Sequence, residues 1–210
     1  MPGLGAGTKI FHYLKLPDTY EVHYMQWLIP YKNESLQDYS KRLATQITEE
    51  NPILFGVSFG GIIIQEIARQ IPVKQLIIVS SIKHHDEMKP LFKLAYKTKL
   101  YKLFPVSLLK KRHFLQHKFF PKALNKKLQL YQKFLEIDEP YYIRWSIHQV
   151  LSWQQTQIPE NFVHIVGEKD MVFPPRYINE PKTIVPQGQH EMIIYKVKWF
   201  NRHLPQLLAK

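Results

Sequence analysis

Residues 53–64 read ILFGVSFGGIII, and this stretch decides the fold. A short apolar run reaches Gly56, Ser58 stands between glycines at i−2 and i+2, and an apolar helical pattern begins at once. The stretch therefore predicts a strand, a sharp turn carrying Ser58, and a helix. Gly56 and Gly60 suit such a turn, because a strained residue crowds its neighbours and glycine has no Cβ to clash.

A serine on this kind of turn has two interpretations. In the first, its hydroxyl is exposed at the carboxyl end of the strand as a nucleophile, beside the Phe59 N–H and the positive end of a helix. In the second, the turn is an ordinary glycine-rich connection and Ser58 only caps the helix. The pattern alone occurs by chance, but its strand and helix context favours the nucleophile.

Further strands and helices alternate on both sides of this turn. Residues 75–80 are almost continuously apolar, which is typical of a parallel strand buried on both faces. Between 82 and 155 the alternation stops and the sequence is helical and rich in aromatic residues. We therefore predict an α/β fold with a doubly wound, mostly parallel sheet and a helical lid inserted over its carboxyl edge. The core is predicted at 1–81 and 156–210 and the lid at 82–155. Further strands are predicted at 21–27, 162–166 and 182–185. Helices are predicted at 8–16, 36–50 and 61–70, with a final helix that ends near 208.

Composition restricts the class of protein. With 210 residues and 45% hydrophobic content, the chain suits one sizeable globular core. It contains no cysteine, which excludes disulfides and thiolate metal sites and agrees with a reducing compartment. No signal peptide and no apolar run long enough to span a membrane is visible. We therefore expect a cytoplasmic protein.

The charge is concentrated in one segment. The formal net charge is +12, and residues 83–127 contain 13 Lys and Arg against two acidic residues. A solvated positive face is the simplest interpretation. Among specific roles we favour steering of an anionic substrate, such as a phosphate-bearing thioester. Peripheral lipid contact stays open because Lys alternates with Leu, Tyr and Phe through 91–104, whereas nucleic-acid binding is disfavoured because no recognition motif accompanies the charge.

A nucleophilic serine needs a base within hydrogen-bond reach, and the base needs an acid to orient it. Ligands and catalytic groups of an open α/β sheet gather at the carboxyl ends of the strands. Asp170 follows the strand at 162–166 and His190 follows the strand at 182–185. Ser58, Asp170 and His190 are therefore the expected nucleophile, acid and base, in the chain order that this fold uses. The alternatives are that Asp170 only caps a turn and that His190 only begins a helix.

Other histidines fit structural roles better. His164 lies inside a predicted strand and is expected to be a core or edge histidine. His84, His85 and Asp86 are adjacent, and adjacent side chains rarely converge on one metal ion, so we expect a solvated loop and no metal site there.

The three motifs together resemble those of the α/β-hydrolases. Residues 56–60 (GVSFG) match the nucleophile elbow, 167–174 (GEKDMVFP) resemble the acid loop, and 188–192 (GQHEM) resemble the segment with the catalytic histidine. The resemblance covers nearly the whole chain, with 82–155 as the variable lid, and implies acyl-transfer chemistry that needs no cofactor. Residues 2–5 (PGLG) lie where many members carry His-Gly-x-Gly, so the resemblance assigns the second oxyanion N–H to Leu4, with Phe59 giving the first.

This sequence departs from the family at two points. Pro2 replaces the usual histidine of the oxyanion loop. The family also has strands before that loop, one of them beside the nucleophile's strand, whereas only Met1 precedes Pro2. We therefore expect a sheet whose N-terminal strands are missing or truncated. Either residues are missing upstream or the sheet has closed up around the loss, since a bare edge on the nucleophile's strand would be a liability.

The resulting expectation is a serine hydrolase of carboxylic esters or thioesters that works through an acyl-enzyme, with acyl transfer also possible. The rival is a non-catalytic protein of the same fold that holds an acidic partner with its basic lid. The sequence leaves the oligomeric state, the acyl length and the leaving group open.

Overall fold

Four parallel strands form the sheet. The computed structural model describes residues 1–103, 106, 133–155 and 161–208. The strand order is β1-β2-β3-β4, the same as the order along the chain. Every residue of β2 is buried, as its apolar sequence predicts. The strands are β1 (Ile53–Val57), β2 (Gln75–Val79), β3 (Phe162–Gly167) and β4 (Thr183–Val185).

Helices cover both faces of this sheet. Leu76 and Ile78 of β2 pack into a cluster with side chains of α1, α2 and α4, whereas Ile77 and Val79 pack with side chains of α6. Alternate residues of one strand thus reach opposite layers, which is the doubly wound arrangement predicted from the sequence. The helices are α1 (Leu36–Ala44), α2 (Phe59–Ala68), α3 (Pro90–Lys97), α4 (Pro140–Ser152), α5 (Met192–Tyr195) and α6 (Val197–Leu208), with 3₁₀ turns at Thr8–Phe11, His85–Glu87, Leu100–Leu103 and Pro175–Tyr177.

The prediction of a strand at 21–27 is wrong. This segment forms no ladder, and polar side chains satisfy part of its backbone instead. The Gln26 N–H donates to Gln46 Oε1 at 2.8 Å, and Gln46 Nε2 donates back to Gln26 O at 3.0 Å. The alternation in the sequence reflects burial of Met25 and Trp27, each 8% exposed, and not strand pairing.

Two predicted helices are shorter in the structure. The helix predicted at 8–16 is a single 3₁₀ turn, Thr8–Phe11, and the helix predicted at 36–50 ends at Ala44. Ser35 caps the second of these helices, because its Oγ accepts a hydrogen bond from the Asp38 N–H at 3.0 Å.

Among the described strands, β1, which carries the serine motif, is the outermost on one side of the sheet. Met1 covers the carboxyl end of that edge: its nitrogen donates to Phe55 O at 2.6 Å, and its carbonyl accepts from the Val57 N–H at 3.1 Å. These two bonds follow the pattern of a parallel ladder. Met1 is therefore held against β1, and this contact places the 1–6 loop beside Ser58.

The structure describes part of the predicted lid, namely 82–103, 106 and 133–155. These residues contain α3 and α4, and they pair with the core through one antiparallel bridge, Ala6 with Leu135. No described helix has the length and apolar character needed to cross a membrane. The other predicted lid features lie outside the described residues: the basic positions 110–112, 118, 122, 126 and 127, and the aromatic residues Phe104, Phe114, Phe119, Phe120 and Tyr131.

Candidate active site

Ser58 occupies a strained turn between β1 and α2. Its φ of 53° and ψ of −119° lie where a side chain is unfavourable, at a cost of about 1–3 kcal/mol. The glycines on either side allow this geometry because they have no Cβ and their backbones pack closely. A Cβ on Gly56 would lie 2.5 Å from Gly60 O. Beneath the turn, Ser81 Oγ donates to Ser58 O at 2.8 Å, which helps to fix the strained peptide.

The structure brings Ser58, His190 and Asp170 together although they are far apart in sequence. His190 Nε2 lies 3.0 Å from Ser58 Oγ, and His190 Nδ1 lies 2.9 Å from Asp170 Oδ2. Asp170 follows β3 and His190 follows β4, so both lie at the carboxyl edge of the sheet where Ser58 follows β1. This is the spatial arrangement of a nucleophile, a base and an orienting acid.

Asp170 is buried, at 3% exposure, yet its surroundings favour the charged form. Its Oδ1 accepts hydrogen bonds from the Val172 and Phe173 N–H groups at 2.8 and 2.9 Å. Burial opposes ionisation, but the charge and hydrogen bond of His190 and these two N–H groups outweigh it, so the Asp170 pKa lies below its ordinary value. A carboxylate here accepts Nδ1–H of His190, which leaves Nε2 free of hydrogen and able to accept the Ser58 hydroxyl proton.

One candidate oxyanion donor, Phe59, follows Ser58 in sequence, and the other, Leu4, belongs to a loop that approaches Ser58. Phe59 is the first residue of α2. The 1–6 loop passes close to the serine, since a Cβ on Gly3 would lie 3.5 Å from Ser58 Cβ, and Leu4 follows Gly3. The loop is also packed against the start of α2, where a Cβ on Gly60 would lie 2.6 Å from Met1 O.

Two residues that support this loop were missed by the sequence reasoning. Trp27 Nε1 donates to Gly3 O at 3.2 Å and to Ala6 O at 3.1 Å, and Tyr142 Oη accepts from the Gly5 N–H at 3.1 Å. The substitution of proline for the family's histidine at position 2 was a signal that the loop needs other support. It does not indicate which side chains provide that support.

His164 and His84 have structural surroundings. His164 is 2% exposed, as expected for a core histidine, and its Nε2 lies 3.0 Å from Ser81 O. Burial, helped by the charge of Lys83, lowers the pKa of His164 to about 3. The segment predicted as a loop at 84–86 includes a 3₁₀ turn, in which His84 Nδ1 accepts from the Asp86 N–H at 3.1 Å. Within the described residues, no group of three His, Asp or Glu side chains could hold a metal ion.

Comparisons with known proteins identify the fold. No family model matches the sequence, and no curated protein matches it. Among solved structures, an esterase from Exiguobacterium antarcticum matches with a TM-score of 0.64 at 16% identity, covering 100% of this chain and 92% of the esterase. A lipase-esterase related protein from Clostridium acetobutylicum matches with a TM-score of 0.59 at 17% identity, covering 99% of this chain and 92% of that one.

A bromoperoxidase from Bacillus anthracis is similar over less of the chain, with a TM-score of 0.57 at 15% identity, covering 83% of this chain and 73% of the bromoperoxidase. All three are α/β-hydrolases, the class that the sequence motifs resemble. The chain therefore has the α/β-hydrolase fold. At these identities the similarity establishes the architecture and not the reaction.

Proposed function

We propose that this protein is a serine hydrolase of carboxylic esters or thioesters that works through an acyl-enzyme. One observation carries the proposal: the continuous contact from Ser58 Oγ to His190 Nε2, at 3.0 Å, and from His190 Nδ1 to Asp170 Oδ2, at 2.9 Å. The fold shared with an esterase and a lipase-esterase related protein supports it.

The chemistry follows from these contacts. Ser58 Oγ attacks the substrate carbonyl while His190 Nε2 takes its proton, and the N–H groups of Phe59 and Leu4 stabilise the negative oxygen that forms. The intermediate collapses, the alcohol or thiol leaves with the proton from His190, and the acyl group stays on Ser58. Water then repeats the sequence, with His190 as base, and releases the carboxylic acid. Asp170 orients His190 and stabilises its protonated form.

A fluorophosphonate probe tests the nucleophile even while the substrate is unidentified, because it reacts with activated serines as a class. The parent and the Ser58→Ala variant are incubated with the probe and examined by intact-mass spectrometry, with circular dichroism to verify that both are folded. We expect one adduct on the parent and none on the variant. A folded parent without an adduct, or a variant that keeps parental ester hydrolysis, would contradict the assignment.

The basic part of the predicted lid supports a narrower proposal for the substrate. Between 89 and 103 the described residues expose both lysines and leucines. Such a face suits an anionic acyl ester or thioester, or one held at a lipid surface, since lysine supplies charge and leucine apolar area. Rates for anionic and neutral esters should then diverge at low salt and converge at high salt, because the lysines are exposed and screened. The cytoplasmic location expected from the cysteine-free sequence stays a prediction.

The non-catalytic alternative makes the opposite prediction. A protein that only holds an acidic partner has no need of an activated serine, so it would not react with the probe. Its partner binding would instead weaken steeply as ionic strength rises.

A further inference from the structure

The 1–6 loop is held on two sides at Gly5. Its N–H donates to Tyr142 Oη at 3.1 Å. Its carbonyl accepts from the Glu136 N–H at 2.7 Å and from the Ile137 N–H at 3.1 Å. All three partners belong to the predicted lid, at the beginning of α4 and in the segment just before it. Gly5 has a positive φ of 64°, which glycine adopts at little cost.

Trp27 holds the same loop from the core. Its indole N–H is shared between Gly3 O at 3.2 Å and Ala6 O at 3.1 Å. Its ring stacks on Phe59, with centroids 5.3 Å apart and planes inclined by 8°, and meets the Tyr142 ring edge-on at 5.7 Å. Trp27, Tyr142 and Phe59 are all buried, so these contacts form one packed unit.

This unit contains one candidate oxyanion donor, Phe59, and holds the residues on both sides of the other, Leu4. Leu4 lies between Gly3, which Trp27 holds, and Gly5, which Tyr142 holds. Phe59 stacks directly on Trp27. An oxyanion donor works only when its N–H is about 2.7–3.1 Å from the position of the negative oxygen, and a displacement of about 1 Å can cost 10²-fold in rate.

We infer that Tyr142 and Trp27 are positioning residues, which aim the Leu4 N–H at the oxyanion and join the predicted lid to the catalytic site. The inference rests on the proposed function. Tyr142 does not touch the reacting atoms, so it acts through Gly5. Without its hydroxyl, the buried Gly5 N–H loses this acceptor, and the loop relaxes toward another hydrogen-bond arrangement in which Leu4 is displaced.

The chain provides a matched pair of substitutions on one helix. Tyr142→Phe removes the hydroxyl that Gly5 contacts and keeps the ring that packs against Trp27. Tyr141→Phe removes the neighbouring hydroxyl, which donates to Tyr31 O at 2.8 Å on a side chain that is 39% exposed. Both variants lose one tyrosine hydroxyl from α4, but only one loses a contact to the 1–6 loop.

The test measures hydrolysis of p-nitrophenyl butyrate per active site, with active sites counted by fluorophosphonate labelling. We expect Tyr142→Phe to lower kcat by about 10–100-fold with KM changed by less than about twofold, below the 10²–10³-fold cost of deleting a donor outright. Tyr141→Phe should keep kcat within about twofold. Phenylboronic acid, whose tetrahedral adduct places a negative oxygen in the same site, should bind Tyr142→Phe more weakly by a similar factor.

The two proposals fail in different ways. A parent that hydrolyses the ester and is labelled at Ser58, with Tyr142→Phe matching it in kcat and boronate affinity, would overturn the positioning role alone. A lower melting temperature with unchanged kcat per labelled site would also overturn it, since that is the signature of a purely structural tyrosine. A folded parent with neither hydrolysis nor labelling would overturn the proposed function and this inference with it.

Discussion

Replacing Gly60 with alanine should separate the geometry of the candidate active site from the stability of the fold. A Cβ at this position would lie 2.6 Å from Met1 O and closer still to Pro2 O. Real Cβ atoms do not approach other heavy atoms within 3.0 Å. The backbone of Met1 and Pro2 must therefore move away from α2 by up to about 1 Å, and the Leu4 N–H moves with it.

The magnitudes favour a loss of rate over a loss of stability. Alanine is about 1 kcal/mol better than glycine inside a helix, and Gly60 belongs to α2, which offsets part of the roughly 1–3 kcal/mol cost of overpacking. Displacement of one oxyanion donor, in contrast, costs up to about 10²–10³-fold in kcat. We expect the free energy of unfolding of Gly60→Ala to lie within about 2 kcal/mol of the parent's. We expect its kcat to be at least about 30-fold lower than that of the parent.

Gly3→Ala is the control, because it adds the same methyl group within the 1–6 loop at a position where the methyl group does not clash. There a Cβ would lie 3.5 Å from Ser58 Cβ and 3.6 Å from Val57 O, which is ordinary van der Waals contact, and Gly3 has no positive φ. Its kcat should fall by no more than a few-fold. The assay is ester hydrolysis per fluorophosphonate-labelled site, with urea unfolding for stability. Equal kcat for Gly60→Ala and the parent would refute the reasoning, since the loop would then not need its present position.

Two further substitutions test the buried groups. Asp170→Asn should lower kcat by about 10³–10⁴-fold in ester hydrolysis at pH 7. The amide oxygen will stay on the Val172 and Phe173 N–H groups, so the NH₂ group faces His190 Nδ1 and imposes the wrong tautomer; a loss under tenfold would contradict this role. His164 has its pKa lowered to about 3, below the ordinary 6.5, so the unfolded chain binds a proton that the folded chain does not, and stability is lost as pH falls between these values. In urea unfolding, this group should lower the parent's free energy of unfolding by about 3 kcal/mol between pH 7 and pH 4. The same drop in pH should cost His164→Gln about 3 kcal/mol less than it costs the parent. Parallel plots of unfolding free energy against pH for the two proteins would contradict the assignment.

The sequence predicts a strand well where both faces of that strand are buried. Residues 76–79 are apolar and every one of them is buried, and the serine turn at 58 is specified by glycines that its close packing requires. The segment 21–27 shows where this reasoning fails. Within it Met25 and Trp27 are buried whereas Val22 and Tyr24 are exposed, and the same alternating sequence would also suit a strand. Gln46, on another segment, takes up the Gln26 backbone groups in place of a ladder.

The candidate site likewise contains residues that the sequence predicts and residues that it does not. Ser58, Asp170 and His190 can be found from sequence because each follows a strand, and parallel strands bring their carboxyl ends to one edge. Trp27 and Tyr142 cannot be found in this way. The contact from Tyr142 to Gly5 joins residues 137 positions apart, and neither aromatic residue belongs to a motif. Their roles follow from packing in three dimensions, which local patterns do not encode.

Proline at position 2 explains why the 1–6 loop depends on such distant contacts. Pro2 has no N–H and no polar side chain with which to hold the loop, so the carbonyls of Gly3 and Ala6 take their donor from Trp27. Each buried hydrogen bond of this kind contributes about 1 kcal/mol and costs more when it is left unmade. The other contact comes from the predicted lid, through Tyr142. A shift of α4 would therefore reach Leu4 through Gly5, and the reactivity of Ser58 would depend on where that helix sits.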